Sequence, residues 1–356
     1  MNKVYPLPLS PTYVRHWGVV EAVRELIQNA IDSDAEFEYA LLDDAVVLRS
    51  RGVTLDASTL VLGNTTKAED ADKIGSFGEG YKIALLVLTR LGRQTVVVNG
   101  SVTWTPEFRE SEVFGSTLLH IVEATRENPG SDLEFRISGL SQVEMDAITY
   151  SCLLMQPPMD DAMAVPQGRI LPSKPGRLYV GGLFVCETEL EFGYDIHPRL
   201  IRLERDRQTV SDWDLKSITR DMWIATGQHD RVAEMIAREC PDTAYVQYGG
   251  ATDLVKEACY RHFMAKHPGG IVARTHAEME AMVAKGLTKV IVAGGSYYAA
   301  VSAAPSYARH AAQVVKVLTP HQELTEFFDH YGKRMPRLPK VAMKRMIERS
   351  QNWKVA

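Results

Sequence analysis

The segments RELIQNAIDSDAE, residues 24–36, and KIGSFGEGYKIALLVL, residues 73–88, decide the fold of the first part of the chain. The first continues an apolar pattern with helical spacing that begins near Val19. The second is a glycine-rich turn that opens a strongly apolar helix. Around them, strand-like patterns lie at 37–42, 45–50, 94–98, 101–105, 117–123 and 133–138. This order predicts an α+β sandwich over residues 1–148.

Three polar residues share one face of the first predicted helix. Glu25, Asn29 and Asp32 have the spacing i, i+4 and i+7, which places them side by side at the edge of the apolar stripe. A carboxamide oxygen suits Mg²⁺, and a glutamate can take a proton from an attacking water. The alternative interpretation is a solvated helix face without chemistry.

Glycines with the spacing Gly75-x-x-Gly78-x-Gly80 stand directly before the second helix. Such a turn exposes backbone N–H groups at a helix N-terminus, where phosphate binds well. A polar loop from Gly63 to Lys67 precedes the turn and carries a cation. A tight turn without a ligand is the alternative, and the lack of a preceding strand argues against a dinucleotide-binding βαβ unit.

In this order and spacing, the segments resemble those of the GHKL ATPase superfamily of DNA gyrase, ninety-kilodalton heat-shock chaperones, histidine kinases and MutL. RELIQNAIDSDAE resembles its N-box and KIGSFGEGYKIALLVL its glycine box. LGNTTK resembles the start of the nucleotide lid, and Gly115-Ser116-Thr117-Leu118 resembles the later Gly-Thr strand motif. The resemblance spans residues 18–122 and implies a Bergerat-type fold, a mixed sheet with helices on one face, that binds ATP and Mg²⁺.

The resemblance also implies a role for each matching position. Glu25 would be the general base and Asn29 the Mg²⁺ ligand. The other implied nucleotide-binding positions are Asp32, Ser50, Gly52, Lys67, Gly75, Phe77, Gly78, Glu79, Gly80, Ser116 and Thr117. Histidine kinases of this superfamily generally lack the glutamate, so Glu25 favours the hydrolytic branch, in which ATP commonly closes a homodimer.

One part of the pattern departs from the superfamily. The aspartate that usually accepts the adenine amino group is replaced by Ser50, and Thr54 replaces a glycine. Ser116 stands where a threonine usually assists that aspartate. A hydroxyl accepts a hydrogen bond but lacks the carboxylate's charge, so altered base recognition is expected. The alternative function is therefore a degenerate GHKL fold that serves as a nucleotide-gated or nucleotide-free binding module.

The rest of the chain predicts two further units. Residues 149–240 would form an α/β transducer-like domain, which by resemblance supplies a cation to the γ-phosphate. Arg205, Arg207 and Lys216 are the candidates, with Arg207 favoured and a surface salt-bridge cluster as the alternative. In residues 241–356, strand-like segments, including AYVQYG at 244–249, alternate with helices and predict an α/β unit with parallel strands.

Composition limits the class of protein. With 45% hydrophobic residues, 24% charged residues and a net charge of −5, the chain is globular and is not a basic nucleic-acid coat. Residues 331–356 nevertheless hold eight basic residues and one acidic residue, so the tail at 333–354 could bind nucleic acid or be a solvated basic helix.

The four cysteines form no CxxC pair, which argues against a zinc ribbon or a redox pair. With no signal peptide and no long apolar run, the sequence predicts a cytoplasmic protein without a membrane partner. The compact architecture fits a bacterial or phage accessory protein.

Overall fold

The computed structural model describes residues 3–33, 35–61, 80–112, 115–201, 210–314 and 320–350. The chain divides into two compact units, residues 1–228 with 240–245 and residues 229–239 with 246–356. The predicted boundary near 148 falls inside the first unit. The predicted boundary near 240 lies where the chain passes from one unit to the other.

The first unit contains two β-sheets and the helices that pack with them. Its strands are β1 (Lys3–Leu7), β2 (Phe37–Leu41), β3 (Ala45–Ser50), β4 (Gln94–Asn99), β5 (Val102–Ser111), β6 (Ser116–Thr125), β7 (Leu133–Ser138), β8 (Met163–Val165), β9 (Gly168–Leu171), β10 (Arg177–Val180), β11 (Leu183–Glu187) and β12 (Gly193–Ile196). Its helices are α1 (Val19–Ile31), α2 (Gly80–Arg90), α3 (Gln142–Ser151) and α4 (Asp212–Ala225). The two helices and six strands predicted within residues 1–148 are confirmed, and β1 and α3 are additions to them.

Strands β1 to β7 form one sheet in the order β1-β6-β5-β4-β7-β3-β2. Each neighbouring pair is antiparallel, so the mixed sheet expected from the resemblance is wrong for this part of the chain. The physical reason is local connectivity. The pairs β2–β3, β4–β5 and β5–β6 join consecutive strands directly, and direct connections between neighbouring strands give antiparallel ladders.

The two faces of this sheet have different surroundings. Along β3, Val46 and Leu48 are buried in the core, and α1 and α2 pack on that side. The opposite face carries charges: the buried carboxylate of Glu134 accepts hydrogen bonds from Arg49 and from Arg136. Burial acts to raise the pKa of Glu134, but the two guanidinium groups outweigh it and hold the pKa below its usual value. The helices therefore cover one face, and a charged ladder occupies the other.

A second sheet continues the same unit. Its strand order is β11-β10-β12-β9-β8, and the pair β10–β12 is parallel whereas the others are antiparallel. Helix α3 packs against both α1 and β11. Cys152, directly after α3, forms a β-bridge with Leu183, and both residues belong to the core of the first sheet. The core of the first sheet thereby reaches β11, whereas Leu153, Leu171 and Tyr179 form a separate apolar cluster at the second sheet.

The second unit is largely helical. Its elements are α5 (His229–Ala237), α6 (Asp253–Lys266), β13 (Ile271–Ala273), α7 (His276–Ala284), β14 (Val290–Val292), α8 (Gly295–Ser302), α9 (Pro305–Val314), α10 (Pro320–Tyr331) and α11 (Arg337–Ser350). Strands β13 and β14 are parallel and are connected through α7, which confirms the predicted parallel α/β arrangement. Within the described part of the chain, no helix combines the length and the apolar character needed to cross a bilayer.

The strand predicted at 244–249 is wrong. Short 3₁₀ turns occupy Pro241–Thr243 and Val246–Tyr248 instead. Between and after them, Tyr245 has φ of 64° and Gly249 has φ of 120°. Such left-handed backbone conformations interrupt an extended strand, whatever the side-chain pattern predicts.

A buried carboxylate holds residues 240–245 in the first unit. Asp242 is fully buried, and its carboxylate accepts hydrogen bonds from the backbone N–H groups of Glu191 (2.8 Å) and Phe192 (3.1 Å) and from the Tyr194 hydroxyl. The Trp223 indole donates to the same hydroxyl at 2.8 Å. Burial and the adjacent carboxylate raise the pKa of Tyr194 well above its usual value. The hydroxyl therefore stays protonated as a donor to Asp242.

Replacing Asp242 by alanine should destabilise the first unit strongly. Three donors, among them the buried Tyr194 hydroxyl, would lose their acceptor, which lowers the free energy of unfolding by about 3 kcal/mol. Urea denaturation followed by tryptophan fluorescence measures this change. Asp212→Ala is the matched control in the same unit, because Asp212 is 67% exposed in a surface ion pair with Lys216, and its loss should cost below about 1 kcal/mol. Equal effects of the two variants would contradict the role given to Asp242.

Candidate functional site

Helix α1 is buried on almost all sides, and it carries polar side chains into the core. Glu25 is only 2% exposed, and Arg24 and Gln28 on the same helix are also buried. Asp32, at the C-terminal end of α1, is buried as well, whereas Asn29 is half-buried. The solvated-face alternative is therefore wrong for Glu25 and Asp32. Burying polar groups costs free energy unless they have hydrogen-bonding or ionic partners. The buried polar side chains of α1 therefore need such partners inside the protein.

Helix α2 begins directly against these polar groups. A Cβ atom placed on Gly80 would lie 2.5 Å from Glu25 Oε2 and 3.1 Å from Asn29 Nδ2. The first distance is shorter than real Cβ contacts, so a side chain at residue 80 would force the end of the Glu25 side chain to move. Of the predicted site residues, the structure thus brings Glu25, Asn29 and Gly80 into one place.

The Asn29 carboxamide is oriented by its own helix. Its Nδ2 donates a 2.7 Å hydrogen bond to the backbone carbonyl of Glu25, one turn earlier. This bond uses the amide's donor side and assigns Oδ1 as its oxygen-ligand side. Oδ1 is the atom of Asn29 that suits a hard cation such as Mg²⁺, whereas Nδ2 is the atom that lies nearest to Gly80.

A buried lysine, which the sequence pattern did not predict as a site residue, lies in the first turn of α2. Lys82 is fully buried, and its Nζ donates to the backbone carbonyls of Thr59 (2.8 Å) and Val61 (2.6 Å). The Tyr81 hydroxyl shares a 2.9 Å hydrogen bond with the Thr59 hydroxyl, and burial raises the pKa of Tyr81 to about 12. Tyr81 and Lys82, which follow Gly80 in α2, thus connect this helix to the turn at 57–61.

Hydrogen bonds also fix the turn after β3, from two different segments of the chain. Ser50 ends β3 and is buried, and Gly52 has φ of 66°, a conformation that favours glycine. The Gly52 N–H donates to Asp132 Oδ1 at 2.9 Å. On the other side, Asn99 exchanges two 2.8 Å hydrogen bonds with the backbone of Leu55. The backbone between Ser50 and Leu55 is therefore fixed in shape.

The structure does not bring Ser116 and Thr117 to Ser50. They begin β6, which is separated from β3 by β5, β4 and β7, a distance of about 19 Å at the usual strand spacing. Ser50 lies opposite Leu133 of β7. The Gly-Ser pair closest along the chain to that neighbour is Gly130-Ser131, just before β7. The expected support of Ser50 by Ser116 is therefore wrong, because strand order places a different strand beside Ser50.

The remaining predicted residues are not placed at this site. Lys216 forms a 3.0 Å ion pair with Asp212 on its own helix, α4, and this partner raises the pKa of Lys216. Seven of the predicted site residues fall outside the described part of the chain: Lys67, Gly75, Phe77, Gly78, Glu79, Arg205 and Arg207.

Comparison with known proteins adds a relative without a described activity. No protein-family profile matches the chain. The chain is similar to a protein of Mycoplasma pneumoniae (strain ATCC 29342 / M129 / Subtype 1) that is named only as an uncharacterized protein. The two are 25% identical over 215 residues, which cover 55% of this chain and 86% of that protein.

Adding one methyl group at Gly80 should disturb the site, whereas the same change at the start of another helix should not. Gly80→Ala places a Cβ against the buried Glu25 carboxylate, so we expect a loss of about 1 to 3 kcal/mol in unfolding free energy. Gly295 is the matched control, because it also begins a helix and a Cβ there meets nothing within 4 Å. Gly295→Ala should leave stability unchanged or raise it by up to about 1 kcal/mol.

The double variant Glu25→Ala with Gly80→Ala tests whether the two residues are coupled. Removing the carboxylate removes the clash, so the double variant should lose less stability than the two single variants together. Urea denaturation of the four proteins measures the coupling. Additive losses would show that Gly80 does not act through Glu25.

Proposed function

We propose that this protein is a Mg²⁺-dependent ATPase of the GHKL type, which couples ATP binding and hydrolysis to a rearrangement of domains or of a dimer. The observation that carries the proposal is the contact of Gly80 with Glu25 and Asn29. It places the last glycine of the phosphate-binding pattern beside the proposed base and the proposed metal ligand. The packing of α1 and α2 on one face of the sheet supports the same assignment, because the resemblance implies helices on one face.

In the proposed reaction, Glu25 orients a water molecule and takes its proton as the water attacks the γ-phosphate. Its burial supports this role, because a carboxylate held away from bulk solvent can orient a single water molecule. Asn29 would hold Mg²⁺ through Oδ1, and the bound cation neutralises phosphate charge. Among the described residues, no group of three or more His, Cys, Asp or Glu side chains could hold a metal by itself. The proposed Mg²⁺ would take other oxygens from ATP and water, because Mg²⁺ usually keeps several waters and binds substrate phosphates.

Phosphate binding would use the N-terminus of α2. The N–H groups at a helix start, together with the helix dipole, favour an anion. Gly80 leaves no side chain between that end and α1. We include Gly75, Gly78 and Lys67 in the proposed phosphate site on the resemblance alone.

The base would be recognised differently from the superfamily pattern. Ser50 is buried at the end of β3, where the superfamily has an aspartate, and it offers a hydroxyl instead of a carboxylate. Direct or water-mediated acceptance of the adenine amino group remains chemically sound. The lost charge should weaken discrimination between ATP and GTP more than it weakens hydrolysis.

For the γ-phosphate cation we retain Arg207, with Arg205 as its neighbour. Lys216 is the weaker candidate, because its ammonium group is already paired with Asp212. A cation that contacts the γ-phosphate would be released when the phosphate leaves, which offers a way to couple hydrolysis to rearrangement.

A nucleic-acid contact through the basic tail is a second, compatible proposal. Helix α11 packs on α10, and Arg345 and Arg349 are exposed one turn apart. Side chains with this spacing share one helix face, which suits a phosphate backbone.

Titration with Mg-ATP and Mg-GTP, following both binding and phosphate release, tests the ATPase proposal. We expect Mg²⁺-dependent ATP hydrolysis, and we expect Glu25→Ala to lower kcat by about 100-fold or more while ATP binding is retained. Glu21→Gln is the matched control on the same helix, since Glu21 only accepts a hydrogen bond from the Gly18 N–H, and its kcat should stay within about 2-fold of the original.

Each other outcome has a defined meaning. ATP binding without phosphate release would support the binding-module alternative, in which nucleotide acts as a switch. Absence of binding to both nucleotides, in a protein that unfolds cooperatively, would reject the nucleotide site.

Salt dependence tests the proposed binding of nucleic acid by α11. Binding to a DNA duplex should weaken as the salt concentration rises. Replacing Lys344, Arg345 and Arg349 by glutamine should make the plot of log binding constant against log salt concentration less steep, by about 0.9 for each phosphate that is no longer neutralised. The control replaces Lys266, Arg274 and Lys285 of the same unit by glutamine, with the same reduction in charge. If both triple variants behave alike, α11 does not bind the duplex.

A further inference from the structure

The two edges of the seven-stranded sheet differ in their protection against pairing. Strand β1, at one edge, contains Lys3 and Pro6, and a proline offers no N–H to a further strand. Strand β2, at the other edge, reads FEYAL and contains neither lysine nor proline. Charged residues and prolines on edge strands block association with other chains. The β1 edge carries both a lysine and a proline, whereas β2 carries only the charge of Glu38.

The backbone of β2 presents a row of outward hydrogen-bonding groups. Just outside the two ends of β2, the Leu42 N–H donates to the Ala45 carbonyl and the Arg51 N–H donates to the Glu36 carbonyl. In the register of β2 with β3, the backbone groups of the even-numbered residues therefore bond toward β3. In an antiparallel ladder the alternate residues point the other way. The N–H and C=O groups of Phe37, Tyr39 and Leu41 therefore point away from β3.

The side chains beside these groups are apolar and unusually exposed. Tyr39 is 41% exposed, Leu41 is 40% exposed and Leu42 in the following turn is 55% exposed. Leu154 extends the same patch, because its carbonyl accepts a 3.1 Å hydrogen bond from the Tyr39 hydroxyl and its side chain is 55% exposed. An open strand edge flanked by apolar side chains is a surface for strand addition.

We propose that this edge pairs with β2 of a second copy of the same chain, in an antiparallel register centred on Tyr39. In that register Tyr39 meets its own copy, and Phe37 meets Leu41 on both sides of the two-fold axis. Each of these is a hydrogen-bonded pair, so the three outward residues are all satisfied. The seven-stranded sheets of two copies then continue across the axis.

The charges of β2 agree with this register. Glu38 lies opposite Ala40 of the partner strand and not opposite another carboxylate. Its own carboxylate is already paired with Arg51 at 2.6 Å. Apolar residues thus face apolar residues, and no like charges are directly opposed. A self-complementary patch of this kind is what a two-fold interface requires.

This pairing requires no nucleotide and is independent of the proposed ATPase. The nucleotide-closed dimer implied by the resemblance would be a separate event. Whether the chain hydrolyses ATP does not affect the β2 edge.

Sedimentation of the full chain over a range of concentrations, with and without Mg-ATP, tests the pairing. We expect a dimer of twice 39.7 kDa in both conditions. Leu41→Pro removes an outward N–H without removing a bond to β3, and it should weaken the dimer by about tenfold or more. Leu41→Val keeps the N–H and an apolar side chain, and should retain the dimer. Leu41→Lys, which places a charge in the interface, serves if the proline variant does not fold.

A wild-type protein that stays monomeric throughout would overturn the proposal, and so would a dimer that survives both Leu41→Pro and Leu41→Lys. A dimer seen only with Mg-ATP and unaffected by these changes would overturn it too, and would point to the nucleotide-closed arrangement.

Disulfide formation tests the register itself. In a hydrogen-bonded pair the Cα atoms are about 5.5 Å apart, so Tyr39→Cys should link two copies under mild oxidation. Asp43→Cys is the matched control, because the two copies of residue 43 would be about 27 Å apart in this register. Linkage of Asp43→Cys as readily as Tyr39→Cys would overturn the register.

Discussion

The approach of a glycine backbone to a buried carboxylate is the constraint on which the candidate site depends. Helix α1 places Glu25 inside the protein, and α2 begins so close to it that a side chain at Gly80 would displace the carboxylate. Lys82, two residues further, ties the same helix start to the carbonyls at the end of the 57–61 turn. The position of α2 is thus constrained from both sides, by the short distance between Gly80 and the Glu25 carboxylate and by an ammonium group that must keep its acceptors. A buried cation without such acceptors would cost several kcal/mol.

The local patterns predicted the first 148 residues well, because their elements are set by short-range periodicity. The helix of α1, the helix of α2 and six strands appear where alternation and helical spacing place them. The role of Lys82 was not predictable in the same way. It stands before the apolar run IALLVL, and its acceptors lie 21 to 23 residues earlier in the chain. Only the tertiary fold brings a lysine and two distant carbonyls together.

Strand order and backbone handedness explain two of the errors, the support expected from Ser116 and the strand expected at 244–249. The chain has Gly-Ser at 115–116 and at 130–131, and the sequence alone does not say which strand neighbours β3. The pairing of Ser50 with Leu133 answers that question, and it depends on contacts across the sheet. At 244–249, alternating aromatic and β-branched residues predicted a strand. The left-handed backbone of Tyr245 overrides that pattern, and the preceding turn is anchored by Asp242 to β12.

Because Asp242 bonds to the first unit, the two units alternate along the sequence. Residues 240–245 complete the first unit, although residues 229–239 and everything from 246 onward belong to the second. No single cut in the chain therefore separates the units into intact fragments. During synthesis, the first unit has to wait for residue 245 to leave the ribosome before Tyr194 and Trp223 acquire their carboxylate partner. By then the first helix of the second unit, α5, has already been made, so the order of synthesis does not match the order in which the two units become complete.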